Sequence, residues 1–354
     1  MNPRDVIVIG ASAGGLQALR ELLRTLPNDL PATIFIVHHI GSAVESTLPQ
    51  LLQSACQLEV SYPMNGEQFK HSHVYVAPRD RHMLLQDGRI ILSDGPKENR
   101  SRPAIDPLFR SAAMAFRSRV VGVVLTGELD DGTAGLWSVK YRGGITVVQD
   151  PTEASSASMP RSALKHVHID HRLPIAEIGL LVTQLIKEPV GDNKDTGLAQ
   201  DLEIENRIAM NDHEAIRNID NLGKLTHFTC PECHGLLREL RNGTFIRFRC
   251  RSGHANSAEN LIAEQAQITE NFLRAALRET EENPHLGQYL SEHSRREGDQ
   301  RTAEFFLAQT AENERRAHLI HDALKKQETP EIGRLWEAEG CDLETQRVLL
   351  QIAG

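Results

Sequence analysis

Short runs rich in valine and isoleucine recur through the first half of this 354-residue chain, and each is about one strand long: DVIVIG, ATIFIVHH, HVYVAP, RIILSD, VVGVVLTG and ITVVQD. Helical patterns lie between several runs, as where leucines spaced three and four residues apart form an apolar stripe from Leu16 to Leu26. Parallel strands need crossovers, so this alternation predicts an α/β fold, a doubly wound and mostly parallel sheet with helices on both faces. The turn signal Asp87-Gly88 interrupts the rhythm and predicts a hairpin or a protruding loop.

The second half of the chain changes character twice. A charged segment, KEPVGDNKDTG, follows Leu185 and predicts a linker. A short stretch dense in cysteine, histidine and arginine comes next, and from Ser257 the pattern is helical, with a second helix from about Arg301 to Lys326 that suggests a helical hairpin. We therefore expect an α/β domain over 1–188, a linker over 189–225, a small module over 226–256 and a helical region over 257–354.

Charge and composition exclude several classes of protein. The formal net charge is −9 and the basic residues are dispersed, which argues against nucleic acid as a partner. No stretch approaches the roughly 18 consecutive apolar residues of a membrane-spanning helix, so we expect no membrane insertion. The N-terminal sequence MNPRDVIVIGASAGG does not resemble a signal peptide. With three of five cysteines clustered near a histidine, we expect a soluble protein in the reducing cytoplasm.

A glycine-rich turn around Ser12 lies between a predicted strand and a predicted helix. The sequence GASAGG contains the Gly-x-Ser-x-Gly pattern of a nucleophile elbow, which exposes a serine hydroxyl at the edge of a sheet. The start of the following helix also offers backbone N–H groups to a developing oxyanion. A dinucleotide-binding turn is the alternative, but that fingerprint has glycine where Ser12 stands.

Histidine and aspartate candidates follow two other strands. His38 and His39 end the run ATIFIV, while Asp130 and Asp131 follow VVGVVLTG. With the serine, they place three residue types at the carboxyl ends of three strands, where a parallel sheet holds its site. A neutral imidazole can take the serine proton, and a carboxylate can orient that imidazole. The residues alone therefore predict a serine hydrolase that catalyses acyl transfer.

Over roughly residues 5–186 the sequence resembles the catalytic domain of the CheB-type chemotaxis protein-glutamate methylesterases. The matching stretches are VIGASAGG, IVHHI, VYVAPRDRHM, RPAIDPLFRSAA, VGVVLTGELDDGTAGL, GGITVVQDP and ASMP. Carried over residue by residue, the resemblance assigns Ser12 as nucleophile, His39 as base and Asp131 as the acid that orients it. It implies hydrolysis of glutamate γ-methyl esters on the cytoplasmic helices of chemoreceptors with release of methanol, allows deamidation of receptor glutamine, and requires no cofactor for catalysis.

The chain departs from the family pattern at two points. Family members usually carry a receiver domain first, whereas this chain begins on the first strand, so we expect a stand-alone form. Glu128-Leu129 replaces a common Met-Gly pair, and we expect the Glu128 carboxylate to point away from a developing negative charge. The matching segments also suggest residues that line the site or only shape its loops: Arg79, Asp80, His82, Asp106 and Met159.

The module after the linker resembles a zinc ribbon. Cys230 and Cys233 lie on one turn, Cys250 and His254 on another, and the turn signal Asn242-Gly243 lies between them. Four such ligands complete the tetrahedral shell of one zinc ion and leave no position for a reactive water, which predicts a structural metal. Free thiols in a small β-hairpin are the alternative.

Three functions are compatible with these residues. The leading hypothesis is a methylesterase of methylated chemoreceptors whose C-terminal ribbon and helices regulate it or dock a signalling partner. The alternatives are a serine esterase or amidase of another substrate and a weakly catalytic signalling scaffold. Because the metal is expected to be structural, we also expect the first 187 residues alone to hydrolyse an activated ester.

Overall fold

The computed structural model describes residues 3–39, 47–190 and 199–326. The chain divides into two compact units, one ending at Leu261 and the other beginning at Ile262. In chain order the strands are β1 (Val6–Ala11), β2 (Thr33–His38), β3 (Glu59–Ser61), β4 (His73–Val76), β5 (His82–Gln86), β6 (Arg89–Ser93), β7 (Val120–Val124), β8 (Ile145–Gln149), β9 (His171–Leu173), β10 (Lys224–Thr229), β11 (Leu236–Asn242), β12 (Phe245–Cys250) and β13 (Ala255–Ser257). The helices are α1 (Gly15–Arg24), α2 (Leu48–Gln53), α3 (Ile105–Phe116), α4 (Thr133–Tyr141), α5 (Ser158–His166), α6 (Ile175–Leu185), α7 (Ala199–Ala209), α8 (His213–Arg217), α9 (Ala258–Arg296) and α10 (Gln300–Lys326).

The first unit is built on a parallel sheet. Among the described residues its strand order is β3-β4-β2-β1-β7-β8-β9, and every neighbouring pair is parallel. The central strand β1 is buried on both sides, because Ile7 and Ile9 belong to one apolar core and Val6 and Val8 to the other. Helices α1 and α6 supply the first core and α3 and α4 the second. The predicted α/β fold with helices on both faces is confirmed.

The predicted hairpin is formed by the antiparallel strands β5 and β6. Asp87 and Gly88 join them with φ values of 49° and 75°. Two positive φ values are what a tight hairpin turn with the twist of its strands requires, and Asp-Gly is among the pairs that adopt them readily.

The described part of residues 189–225 is not a linker, and that expectation is wrong. Helices α7 and α8 occupy it, and a small apolar cluster holds them against β11 through Ile208, Ala215, Ile219, Leu222 and Leu240. The segment is about as rich in apolar residues as the whole chain, but it follows a charged run that is typical of a linker. Its position is fixed by polar groups that pair with distant parts of the chain.

Five buried charged residues form what we call the ion network: Glu98, Arg110, Glu205, Arg247 and Arg249. Arg110 binds both carboxylate oxygens of Glu98, at 2.8 and 3.1 Å. Arg247 binds both oxygens of Glu205, at 2.8 and 2.9 Å. Arg249 lies between them and contacts both glutamates at 2.9 Å. No side chain of the network is more than 4% exposed, so the network joins the α/β domain, α7 and β12 inside one unit.

The Cys/His module is an antiparallel sheet of order β10-β11-β12-β13. Its β11–β12 turn, Asn242-Gly243-Thr244, approaches the α/β domain at Trp137. A Cβ atom built on Gly243 would lie 3.4 Å from Trp137 Nε1. Trp137 in turn stacks on Tyr141, with ring centroids 4.8 Å apart. The module is therefore packed on the domain rather than tethered to it.

In the second unit, from Ile262 onward, helices α9 and α10 form the predicted hairpin. Gly287 of α9 approaches the hydroxyl of Thr310 on α10 so closely that a Cβ atom there would collide with it. Several large apolar side chains are exposed, among them Phe272, Tyr289 and Phe305. No described helix combines the length and the apolar character needed to cross a bilayer.

Candidate active site

A cavity of about 950 Å³ opens at the carboxyl ends of β1 and β2. Its lining includes Ser12, His38, His39, Asn99, Arg100, Glu128, Leu129, Asp131 and Asn260. The serine, histidine and aspartate that the sequence singled out thus line one cavity of the first unit.

Ser12 follows β1 on a tight turn into α1. Its backbone N–H donates to the carbonyl of Thr126 at 3.0 Å, and its carbonyl accepts from Gly15 N at 2.8 Å. The glycines near Ser12 have no room for a side chain. A Cβ atom on Gly15 would lie 2.7 Å from the His38 ring, and one on Gly127 would lie 2.9 Å from Ser12 Cβ. The serine side chain therefore lies between close backbone segments at the start of a helix.

His39 lies next to Asp131. The His39 Nε2 atom is 2.9 Å from Asp131 Oδ2, which is ion-pair distance, although the ring N–H is not aligned for a hydrogen bond. His38 packs its ring against Gly15 instead. Burial, followed by the charge of His39, lowers the pKa of His38 to about 4, so His38 stays neutral at physiological pH. Of the two histidines, the one beside a carboxylate is His39.

Donors surround the Asp131 carboxylate. Its Oδ2 accepts from Ile105 N at 2.7 Å, and its Oδ1 accepts from Asn99 Nδ2 at 2.8 Å and Gly132 N at 3.0 Å. Burial alone would raise the pKa of Asp131, but His39 and these donors lower it below its usual value. Burial and then the charge of Asp131 raise the pKa of neighbouring Asp106 to about 7. Asp131 is therefore the carboxyl group of this pair that stays charged beside His39.

Asp130 faces the other way. Its Oδ1 accepts from Ser257 Oγ at 2.7 Å and from the Asn260 side-chain amide. Burial, followed by the charge of Glu259, raises the pKa of Asp130 well above its usual range. Asn99, Ser257 and Asn260 come from outside the three strand ends, and no sequence pattern indicated that they reach this site.

The other residues suggested by family segments divide into two groups. Asp106 contacts the Asp131 loop through Gly132 N and Gly135 N, and Met159 packs beside Gly127 next to Ser12. His82 is fully buried and lies 2.9 Å from the Pro96 carbonyl, Asp80 pairs with Arg102 at 2.8 Å, and Arg79 is exposed. None of the five is among the residues that line the cavity.

The four predicted metal ligands converge in the Cys/His module. The ligand atoms of Cys230, Cys233, Cys250 and His254 all lie within 4.8 Å of one another. The Cys233 and Cys250 sulfurs are 3.5 Å apart, and His254 Nδ1 is 3.6 Å from Cys250 Sγ and 3.8 Å from Cys230 Sγ. Ligands of a tetrahedral zinc ion are roughly 3.5–3.8 Å apart, given its bond lengths. The donor set and its spacing fit zinc.

Known proteins resemble the first half of the chain. Residues 7–182 match the CheB methylesterase family. The chain is 39% identical over 182 residues to a Leptospira interrogans protein named "Putative protein-glutamate methylesterase/protein-glutamine glutaminase", covering 51% of this chain and 94% of that one. It is 40% identical over 177 residues to "Protein-glutamate methylesterase/protein-glutamine glutaminase 1" of Geobacter metallireducens, of which it spans 48%, with 49% of this chain covered.

A solved structure agrees with these relatives. The Thermotoga maritima CheB methylesterase catalytic domain superposes with a TM-score of 0.50 and 32% identity, covering 52% of this chain and all of that one. The family match over residues 7–182 takes in nearly all of the parallel sheet and every cavity-lining residue named above except Asn260. From its sequence and its fold, this chain belongs to the CheB methylesterase family.

Proposed function

We propose that this protein hydrolyses γ-methyl esters of glutamate side chains on chemoreceptors, and that it can also deamidate receptor glutamine. The observation that carries the proposal is the convergence of Ser12, His39 and Asp131 on one cavity of a CheB methylesterase fold. The names of the relatives cover both activities, which share acyl transfer from a glutamyl carbonyl.

Each residue has a role in that chemistry. His39 takes the proton of the Ser12 hydroxyl as its oxygen attacks the ester carbonyl, and Asp131 stabilises the imidazolium that forms. Backbone N–H groups at the start of α1 stabilise the oxyanion. As the intermediate collapses, the His39 imidazolium gives its proton to the leaving group, which departs as methanol, or as ammonia from an amide, and an acyl group stays on Ser12. Water activated by His39 then releases the glutamate.

The position of Glu128 is compatible with ester hydrolysis at Ser12. Its side chain is exposed at the cavity rim. Water therefore screens the carboxylate from an oxyanion formed beside Ser12.

The proposed function is tested with receptor carrying methyl-labelled glutamates. We expect the unsubstituted protein to release labelled methanol and Ser12→Ala to release none above background. His39→Ala should match it, and the double variant should lose little more, because such residues act as a unit. His38→Gln is the matched control and should keep turnover. Methanol release by Ser12→Ala, or silencing by His38→Gln alone, would contradict the assignment.

We further propose that Cys230, Cys233, Cys250 and His254 hold one structural zinc ion. Zinc would supply cross-linking of two turns in a module whose apolar core is small. With four protein ligands the ion would have no position for a reactive water. Elemental analysis should find one zinc per chain and should find it lost in Cys233→Ser.

The surroundings of the enzyme follow from the same proposal. The proposal includes a location in the cytoplasm, which a substrate on the cytoplasmic helices of receptors and the need for reduced zinc-binding thiols both favour. The exposed apolar side chains of α9 and α10 suit these helices to a signalling partner. Crosslinking from Phe272 or Phe305 positions in cells would identify that partner, and an absence of crosslinks would argue against it.

A further inference from the structure

We propose that Asn99 is a positioning residue through which the Cys/His module holds the carboxylate of Asp131, so that the module completes the active site. The inference rests on the proposed function of Ser12, His39 and Asp131. We use the name junction for residues 255–260, where β13 leads into α9.

Asn99 makes polar contacts on two sides at once. Its Nδ2 donates to Asp131 Oδ1 and to Asp106 Oδ2, both at 2.8 Å. On the other side its backbone N–H donates to the Ala255 carbonyl at 2.8 Å, and its Oδ1 accepts from Ser257 N at 3.0 Å. Only 6% of Asn99 is exposed. The bond from Ser257 N to the side-chain oxygen of Asn99 therefore keeps the NH₂ group of Asn99 turned toward the two aspartates.

The backbone of Asn99 belongs to a tight turn that these contacts hold against the module. Its φ is 47° and that of Arg100 is 66°, and Ser101 N donates to the Glu98 carbonyl at 2.9 Å, so Asn99 and Arg100 are the two central residues of the turn. The bonds from Asn99 to Ala255 and Ser257, both in β13, fix the position of this turn.

A second contact links the junction to the same loop. Ser257 Oγ donates to Asp130 Oδ1 at 2.7 Å and accepts from Asn260 N at 3.0 Å, which caps the first turn of α9. Asp130 and Asp131 are adjacent, one facing the junction and the other His39. A displacement of the junction would therefore displace both Asp130 and Asp131.

Two of the four metal ligands, Cys250 and His254, are linked to the junction because they lie in the β12–β13 hairpin that leads into it. Cys250 ends β12, His254 directly precedes β13, and the two strands pair from Arg247–Ser257 to Arg249–Ala255. Cys250 N also donates to the His254 carbonyl at 2.9 Å. An ion bound to Cys250 and His254 would fix this turn, and with it the groups that hold Asn99.

The first experiment measures turnover of methylated receptor and its pH profile in Asn99→Ala and Asn99→Asp. Asn99→Ala should lower kcat roughly 10-fold to 100-fold, as for one lost hydrogen bond to a charged group, with KM little changed. The acid limb should move to higher pH, because a carboxylate with fewer donors holds the imidazolium proton more tightly. Asn99→Asp keeps the acceptor for Ser257 N but adds a third carboxylate, so its loss should be larger.

Lys97→Ala is the matched control. The Lys97 side chain joins the same stretch of chain to the module through Glu232 at 2.9 Å and does not touch Asp131. It should keep kcat and the pH profile. An Asn99→Ala enzyme with normal kcat and an unmoved acid limb would overturn the proposal.

The second experiment needs no activity. Hydrogen exchange of the full chain is compared with zinc bound and after chelation, in a Ser12→Ala background. Chelation should speed exchange at the Ile105, Asp106 and Gly132 amides, which donate to Asp131. Asn99→Ala should do the same with zinc still bound. Faster exchange confined to 226–257 would overturn the coupling, whereas methanol release by Ser12→Ala would overturn only the proposed function.

Discussion

The α/β region up to residue 190 and the segment 199–261 that follows it are stabilised in opposite ways. The first has two extensive apolar cores on either face of a parallel sheet. The second has two small apolar clusters among its described residues, together with the ion network and the Cys/His cluster. One region is stabilised mainly by burying apolar surface, and the other by charges that have to be paired.

This difference in stabilisation indicates which residues depend on one another for stability. A buried ion is costly unless its partner is present. Glu98 and Arg110 belong to the α/β region, while Glu205, Arg247 and Arg249 belong to the later segment. The family match ends at residue 182, but the first compact unit extends to Leu261. The segment from residue 199 to Leu261 thus belongs to the same compact unit as the family match.

Truncation should have the largest effect. A fragment of residues 1–188 should lose about 5 kcal/mol or more relative to residues 1–261, because it strips partners from the ion network and from Asp130. Urea denaturation followed by circular dichroism would measure the loss. Equal midpoints for the two fragments would show that the first domain does not need the later segment for its stability.

The second-largest loss of stability is expected when the ion network is broken at one residue. Glu205→Gln should cost about 3–5 kcal/mol, because Arg247 and Arg249 would keep their charge without its carboxylate. Glu203→Gln alters an exposed position on the same helix and should leave the midpoint unchanged. Similar midpoints for both variants would show that the network is not what joins the two regions.

Acid should weaken the same network. Burial favours the neutral form of Glu98, but Arg110 and Arg249 lower its pKa from 4.5 to about 2. Since the folded pKa is the lower one, this stabilisation is present above pH 4.5 and disappears as the pH falls toward 2, a loss of about 3 kcal/mol. Denaturation at pH 5 and pH 3 should show it, and Glu98→Gln should have a shallower acid dependence. The same slope in both proteins would refute the assignment.

The smallest effect is expected at the surface of the module. Arg251 pairs with Asp220 at 2.9 Å, and its side chain is 77% exposed. Solvent screens such a pair, so Arg251→Ala should leave the denaturation midpoint within experimental error. A clear shift would mean that exposed charges also stabilise this region, and the contrast between buried and exposed pairs would fail.

The sequence predicted what is encoded locally. Strands of valine and isoleucine, the Asp87-Gly88 turn and the α9–α10 hairpin need only neighbouring residues, and Ser12 and His39 were found because they directly follow strands. The assignment of His39 and Asp131 within their pairs came from the family resemblance. The catalytic role of these residues stays a prediction.

Long-range polar contacts could not be predicted. Asn99 meets Ser257 across 158 positions, and Arg110 meets Asn206 across 96. Neither contact corresponds to a periodic or regularly spaced sequence pattern from which it could be predicted. The helices of residues 199–217 were missed for the same reason, since their placement depends on Glu205 reaching Arg247 and Arg249.

The close approach of Trp137 to the Gly243 turn provides a natural fluorescence reporter. The chain has two tryptophans, Trp137 and Trp336. In a Trp336→Phe protein, emission would come from an indole on α4 that faces the β11–β12 turn. Undocking of the module would expose this indole to water and shift its emission to longer wavelength. Seating of the module could thus be followed in real time, without a label and without substrate.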